Sequence, residues 1–133
     1  MKFLNTSGKR KSAIARAAIK AGSGIIKING RLLEFYEPML ARLRLQEPLM
    51  LAGEQANSVD INIRVKGGGT MSQTEAARLA IAKALTGFTK DKKLEKSFLE
   101  YDRHLLVADV RRREVRKPNT HGKARAKRQK SYR

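Results

Sequence analysis

The sequence predicts an α/β (α+β) fold: a single sheet covered by helices, followed by a basic extended C-terminal tail. Three observations carry this. Val59, Ile61, Ile63 and Val65 alternate with Asp60, Asn62, Arg64 and Lys66, the period of a half-buried strand. That strand runs through Gly67, Gly68 and Gly69 into a segment whose Ala77, Ile81, Ala84, Leu85 and Phe88 share one helical face. Finally, residues 111–133 hold 7 Arg, 4 Lys and a single Glu, more than half of the chain's net charge of +18. The first two describe a body over residues 1–110, and the third sets off residues 111–133 as a tail.

The elements follow in order. Gly8 to Lys11 reads as a basic entry loop. Ser12 to Lys20 reads as a first strand, with Ala13, Ala15, Ala17 and Ile19 on one side, although alanine is a poor strand former. Residues 21–24 make a turn. Ile25 to Ile28 is a short second strand able to pair back as a hairpin, and Asn29-Gly30 turns again. The run from Arg31 to Pro38 fits a short helix ending before the proline. Pro38 can open the next helix, whose Met39, Leu40, Leu43 and Gln46 trace a face read as core, with Pro48 ending or kinking it.

Glu54 to Ser58 is a polar connector into the central strand. A capping box of Ser72 and Glu75, or the same spacing at Thr70 and Gln73, starts the following helix. Thr89 or Asp91 can cap another helix, with Leu94, Phe98 and Tyr101 on its apolar face. Val110 to Arg116 reads as an edge strand, and Pro118 ends regular structure. The resulting order is β-β-α-α-β-α-α-β. Beyond Pro118 only Ala124, Ala126 and Tyr132 are apolar, too little to offset the ordering entropy of that segment alone.

Composition narrows the function. With 30 basic and 12 acidic residues, the chain calls for a partner that neutralises it, nucleic acid first and an anionic membrane second. There is no cysteine, so disulfides and thiolate metal sites are excluded. No apolar run approaches the roughly 20 residues that span a bilayer. The first five residues lack a continuing apolar region and are not read as a signal peptide, so a cytoplasmic location is expected. The two histidines, His104 and His121, stand in no catalytic or metal-ligand pattern, and Asp102 and His104 do not share a helical face. No cofactor and no small-molecule substrate is expected.

The glycine turn admits two readings. It is either a tight strand-to-helix connection or an anion site, where glycines allow close approach and helix amides point outward. Lys66 precedes it, and Arg78 and Lys83 lie on the helix beyond. It is neither a Walker A loop nor a dinucleotide-binding fingerprint. The tail joins Arg, which pairs with phosphate in two-pronged fashion, to mobile Lys. Extended at about 3.3 Å per residue, the part beyond Pro118 reaches roughly 50 Å. Aromatic residues are few, which favours backbone and shape recognition of folded RNA over reading of single strands.

The run Gly67-Gly68-Gly69-Thr70-Met71-Ser72-Gln73-Thr74-Glu75-Ala76-Ala77-Arg78, continued by Ala80, Ala82, Lys83 and Ala84, resembles the signature of the ribosomal small-subunit protein nine family. Residues 8–16 (GKRKSAIAR) and 129–133 (QKSYR) agree with it, so the resemblance covers nearly the whole chain. The ending Lys130-Ser131-Tyr132-Arg133 is similar to archaeal and eukaryotic members rather than bacterial ones, which end Phe-Ser-Lys-Arg; an archaeal-like member is implied.

The resemblance implies a ribosomal S5 domain 2-like fold and a structural constituent of the small ribosomal subunit. Its body would bind small-subunit rRNA in the head, beside neighbouring head proteins. Its tail would extend toward the anticodon stem-loop of P-site tRNA, with Tyr132 and Arg133 at the contacting end. The rRNA-binding residues expected are Arg10, Lys11, Arg16, Lys66, Gly67, Gly68, Gly69, Gln73 and Arg78 in the body. In the tail they are Arg111, Arg112, Arg113, Arg116, Lys117, Lys123, Arg125, Lys127, Arg128 and Lys130. Two alternatives stay open on the residues alone: a small phosphate- or nucleotide-binding enzyme using Gly67 to Gly69, and a free nucleic-acid chaperone.

Overall fold

A computed structural model describes residues 2–120 and 124–125. Five strands form one mixed sheet in the order β1-β2-β5-β3-β4. They are β1 (Phe3–Arg10), β2 (Ala13–Ala21), β3 (Ile26–Ile28), β4 (Arg31–Leu32) and β5 (Val59–Lys66). Three helices accompany them: α1 (Met39–Ala52), α2 (Thr70–Thr89) and α3 (Lys92–Tyr101). The expected fold class holds, a single sheet with helices on it. The order of elements differs: β1 and β4 are added, and no strand follows α3 among the described residues.

The alternation in β2 and β5 is explained by a sheet covered on one side only. Ala13, Ala15, Ala17 and Ile19 are buried, as are Val59, Ile61, Ile63 and Val65. Their alanines are adapted to α2, which lies on β1 and β2 and presents Ala76, Ala77, Ala80 and Ala84, all buried, in return. Small residues on both sides bring helix and sheet close, so packing overrides the weak strand propensity of alanine. The approach is tightest at Gly8, where an added Cβ would stand 2.2 Å from the Ala76 carbonyl oxygen. The basic entry loop expected at 8–11 is therefore mostly strand: β1 runs to Arg10, and only Lys11 and Ser12 turn.

β3 does not pair back on β2. It runs parallel to β5, with Ile26 beside Ile61 and Ile28 beside Ile63, and β4 pairs with it on the outer edge. Asn29 continues the ladder through its side chain, whose Oδ1 accepts the Val65 N–H at 2.9 Å. The helix expected from Arg31 shrinks to one 3-10 turn, Leu33–Phe35, after β4. β3 is freed from β2 by the turn at 22–25, held because one oxygen of Asp60 accepts the N–H groups of Ser23, Gly24 and Ile25. Those donors hold the Asp60 carboxyl below its usual range, the Ile25 N–H contributing most.

Pro48 neither ends nor interrupts α1, which continues to Ala52 with Pro48 buried in it. The face read as core is the wrong one. Ala41, Leu45, Pro48 and Ala52 face inward, whereas Met39, Leu40 and Leu43 are exposed. At the start of α2 no side chain caps the helix; Gly69 is the capping residue, Ser72 lies inside, and Glu75 pairs with Arg44 at 3.0 Å. Asp91 caps α3 as expected, accepting the Lys93 N–H at 2.9 Å. Leu94 and Phe98 are buried there, but Tyr101 is exposed. Val110 and Val115 are both exposed, and their segment pairs with no strand, so the expected edge strand does not form.

Candidate nucleic-acid interface

Covering one side of the sheet leaves the other open. Register places its outward residues in rows: Ser7, Arg16 and Arg64 in one, Asn5, Ala18, Asn62 and Lys27 in the next, Lys9, Ile14 and Lys66 in a third. Asn5, Ser7, Arg16, Ala18, Asn62 and Arg64 line a shallow trough whose floor is low because alanine stands at its centre. Arg16 and Arg64 are direct cross-strand partners. Like charges placed so oppose folding. Among the described residues neither has a carboxylate partner. The pair is an uncompensated cationic site on an open surface.

The glycine turn closes one end of this face. Gly67 and Gly68 have φ of 78° and 64°, where glycine is favoured. A Cβ on Gly67 would lie 2.5 Å from the Ser12 carbonyl oxygen, and one on Gly68 3.0 Å from the Ala13 Cβ. Both are thus explained by the seating of the turn against the β1–β2 hairpin. Gly69 differs: its backbone is extended and a Cβ there would meet nothing. Gln73 Nε2 donates to the Gly67 carbonyl at 3.0 Å and braces the turn. Beside it, Lys9, Lys11 and Ser12 line an open depression with Arg111, Arg112 and Arg113. The two basic segments far apart in sequence meet here.

They meet because Asp109 holds them. Its carboxylate accepts from the Arg111 backbone N–H at 2.9 Å and from Arg111 Nη2 at 2.8 Å, and it pairs with Arg10 at the end of β1. The Arg111 side chain, the Arg111 N–H and the Arg10 charge together hold the Asp109 carboxyl far below its usual range. Arg10 is therefore an anchor for the root of the tail. Arg112, Arg113, Arg116 and Lys117 are exposed, while Arg125 pairs with Glu114 at 2.6 Å. Lys123, Lys127, Arg128, Lys130, Tyr132 and Arg133 lie outside the described residues.

Arg78 does not join the interface. It is 1% exposed, donates to Glu47 from Nε at 2.9 Å, and reaches Asp102 at 3.0 Å. Arg44 bridges Glu47 and Glu75 in the same cluster. These five residues tie α1, α2 and the turn after α3 together, and their charges are met within the protein. Burial alone would raise the Asp102 carboxyl, but the His104 N–H and Arg78 outweigh it and hold it below its usual range. Arg78, expected at the RNA, is corrected to a structural role by this enclosure.

The family model described as ribosomal protein S9/S16 matches residues 8–133. The chain belongs to this family. It is 52% identical to the small ribosomal subunit protein uS9 of Methanococcus maripaludis (strain C7) over 134 residues, 100% of both chains. The uS9 protein of Methanococcus vannielii is equally similar, with the same coverage. Members of the S9/S16 family are structural ribosomal proteins, so this chain is a structural constituent of the ribosome's small subunit and not an enzyme. The reading of the glycine turn as a nucleotide-binding catalytic loop is thereby set aside. No helix among the described residues is long and apolar enough to cross a membrane.

For this S9/S16 chain the structure brings together Lys11, Lys66, the glycine turn, Gln73 and Arg111 to Arg113, with Arg16 on the adjoining sheet. The same open face and turn also carry Arg64, Lys27, Lys9, Asn5 and Asn62, which the sequence alone does not single out. The signal was present, since Arg64 and Asn62 are the polar half of the alternation in β5. What was missing was β1 as a strand, without which the trough has no outer wall.

Proposed function

We propose that the open sheet face and the glycine-turn end of this chain bind small-subunit rRNA in the head of the subunit. Residues 111–133 then extend as an arm from the body at 1–110 toward the anticodon stem-loop of P-site tRNA. The observation that carries the reading is the Arg16–Arg64 pair: two exposed arginines at directly opposite positions of β2 and β5, neither with a carboxylate partner among the described residues. A phosphate seated across them replaces repulsion with charge-assisted hydrogen bonds. Lys66, Lys11, Gly67 to Gly69 and Gln73 continue the contact at the turn, where Gly69 leaves room for close backbone approach. Arg111, Arg112, Arg113, Arg116 and Lys117 lead out along the RNA. Lys123, Arg125, Lys127, Arg128 and Lys130 follow, and Tyr132 and Arg133 form the tRNA-facing end. Head proteins of the subunit are its neighbours.

The test compares three forms on small-subunit rRNA across a salt series: the full chain, a chain ending at Pro118, and the full chain with Arg16→Ala and Arg64→Ala. Each lost phosphate contact flattens the log–log salt slope by about 0.7–0.9. The shortened chain keeps its preference for small-subunit rRNA and loses a few units of slope. The double variant loses the preference as well as slope. If the double variant binds as the full chain does, the sheet face is not the anchor.

A further inference from the structure

Helix α1 is apolar on two opposite sides. Ala41, Leu45, Pro48 and Ala52 face the protein. Met39, Leu43 and Met50, which fall on the far face at helical spacing, are 63%, 46% and 78% exposed. Beyond Met50 this face runs into a groove against Leu32 of the edge strand β4, with Leu49 and Gln46 between. The protein's own core uses only the inward side and leaves the far side without a partner among the described residues, and no helix among those residues is long and apolar enough to cross a membrane. Exposed apolar surface of this kind marks an interaction site.

The charge around it is inverted. Residues 32–58 contain 4 Glu, 2 Arg and no Lys, in a chain whose net charge is +18. Arg42 is turned onto the Glu34 carbonyl, and Arg44 is engaged by Glu47 and Glu75. Glu34, Glu37 and Glu54 remain exposed; Arg31, on β4, is an exposed cation just before them in the chain. We propose that this face docks a second, basic protein. Its apolar side chains cover Met39, Leu43 and Met50, and its Lys or Arg residues meet Glu34, Glu37 and Glu54. RNA is disfavoured, because phosphate would face carboxylates and apolar carbon. Self-association through this face is disfavoured too, because a two-fold pairing sets the acidic rim against itself.

The inference rests on the ribosomal placement proposed above and names the surface that a protein neighbour uses. Its test places a photoactivatable benzophenone side chain at Leu43 or at Met50 of the full chain. A third form carries it at Asn62, on the open sheet face. Each is assembled with small-subunit rRNA and total small-subunit protein, then irradiated. The Leu43 and Met50 probes are expected to join a basic protein within the subunit. Glu34→Lys, Glu37→Lys and Glu54→Lys together should lower that yield about tenfold through like-charge contact. Products with rRNA, products with a second copy, no product within assembled subunits, or a yield unmoved by charge reversal each overturn the proposal. The Asn62 probe reports separately: if it fails to reach rRNA, the sheet-face reading falls, whatever the helix probes show.

Discussion

The two sides of the sheet are written by the same strands, one residue apart, and they do opposite things. On the covered side, Gly8, Ala15 and Val65 stand in one row and are packed under α2. On the open side, the next row is Ser7, Arg16 and Arg64. The arginines sharpen the contrast. Arg78 and Arg44, in the helical layer, share Glu47 and Glu75, and Arg78 also reaches Asp102, whereas Arg16 and Arg64 have no carboxylate partner among the described residues. A count of basic residues treats all four alike. What separates the first pair from the second is that the fold supplies carboxylate partners to Arg78 and Arg44.

The largest effect should come from the covered side. Arg78→Ala removes a buried guanidinium and leaves three partly exposed carboxylates facing one another, and should cost about 2–4 kcal/mol in urea unfolding; a loss below about 1 kcal/mol would mean the cluster does not join the helices. Gly8→Ala drives a methyl into the α2 backbone and should destabilise by about 1–3 kcal/mol. Its neighbour Ser7→Ala, facing out, should stay within about 0.5 kcal/mol. Arg16→Ala with Arg64→Ala should do the reverse: RNA binding weakens, while thermal stability holds or rises by about 0.2–1 kcal/mol as the like-charge pair is removed. Equal losses of stability from both faces would break the comparison.

The smallest effect is one of pH. Asp60, Asp91, Asp102 and Asp109 are all held below the ordinary carboxylate range in the fold. Their contribution is therefore complete above about pH 4 and is lost as pH falls through the lower native values. Stability should be level from pH 7 to 5 and drop below 4, and Asp102→Asn should make that drop shallower in an acid titration followed by circular dichroism.

Much of this was legible in the chain. β5, α2 and the cap of α3 follow from periodicity and from one aspartate. The glycine turn was visible too, though not which of its glycines are required by packing. Three features were not legible for physical reasons. β1 has little apolar alternation because its inner positions are filled by Gly8 and Thr6, adapted to a close helix; Thr6 even donates to the Ala80 carbonyl at 2.9 Å. The inward face of α1 was misread because the helix is apolar on both sides, so periodicity could not choose between them. Arg78, a basic residue on a helix after a glycine turn, has the sequence signature of a phosphate ligand until Glu47 and Asp102, 31 and 24 residues away, arrive beside it.

The contact between Arg10 and Asp109 joins residues 99 apart in the chain. The end of β1, first in the chain, therefore gains its carboxylate partner only when the elements between are in place, since closing so long a stretch costs more entropy than the local β1–β2 hairpin. Arg111, two residues on from Asp109, is held by the same carboxylate. The heading of the segment that follows is thus a readout of the finished body, coupled to it through one side chain.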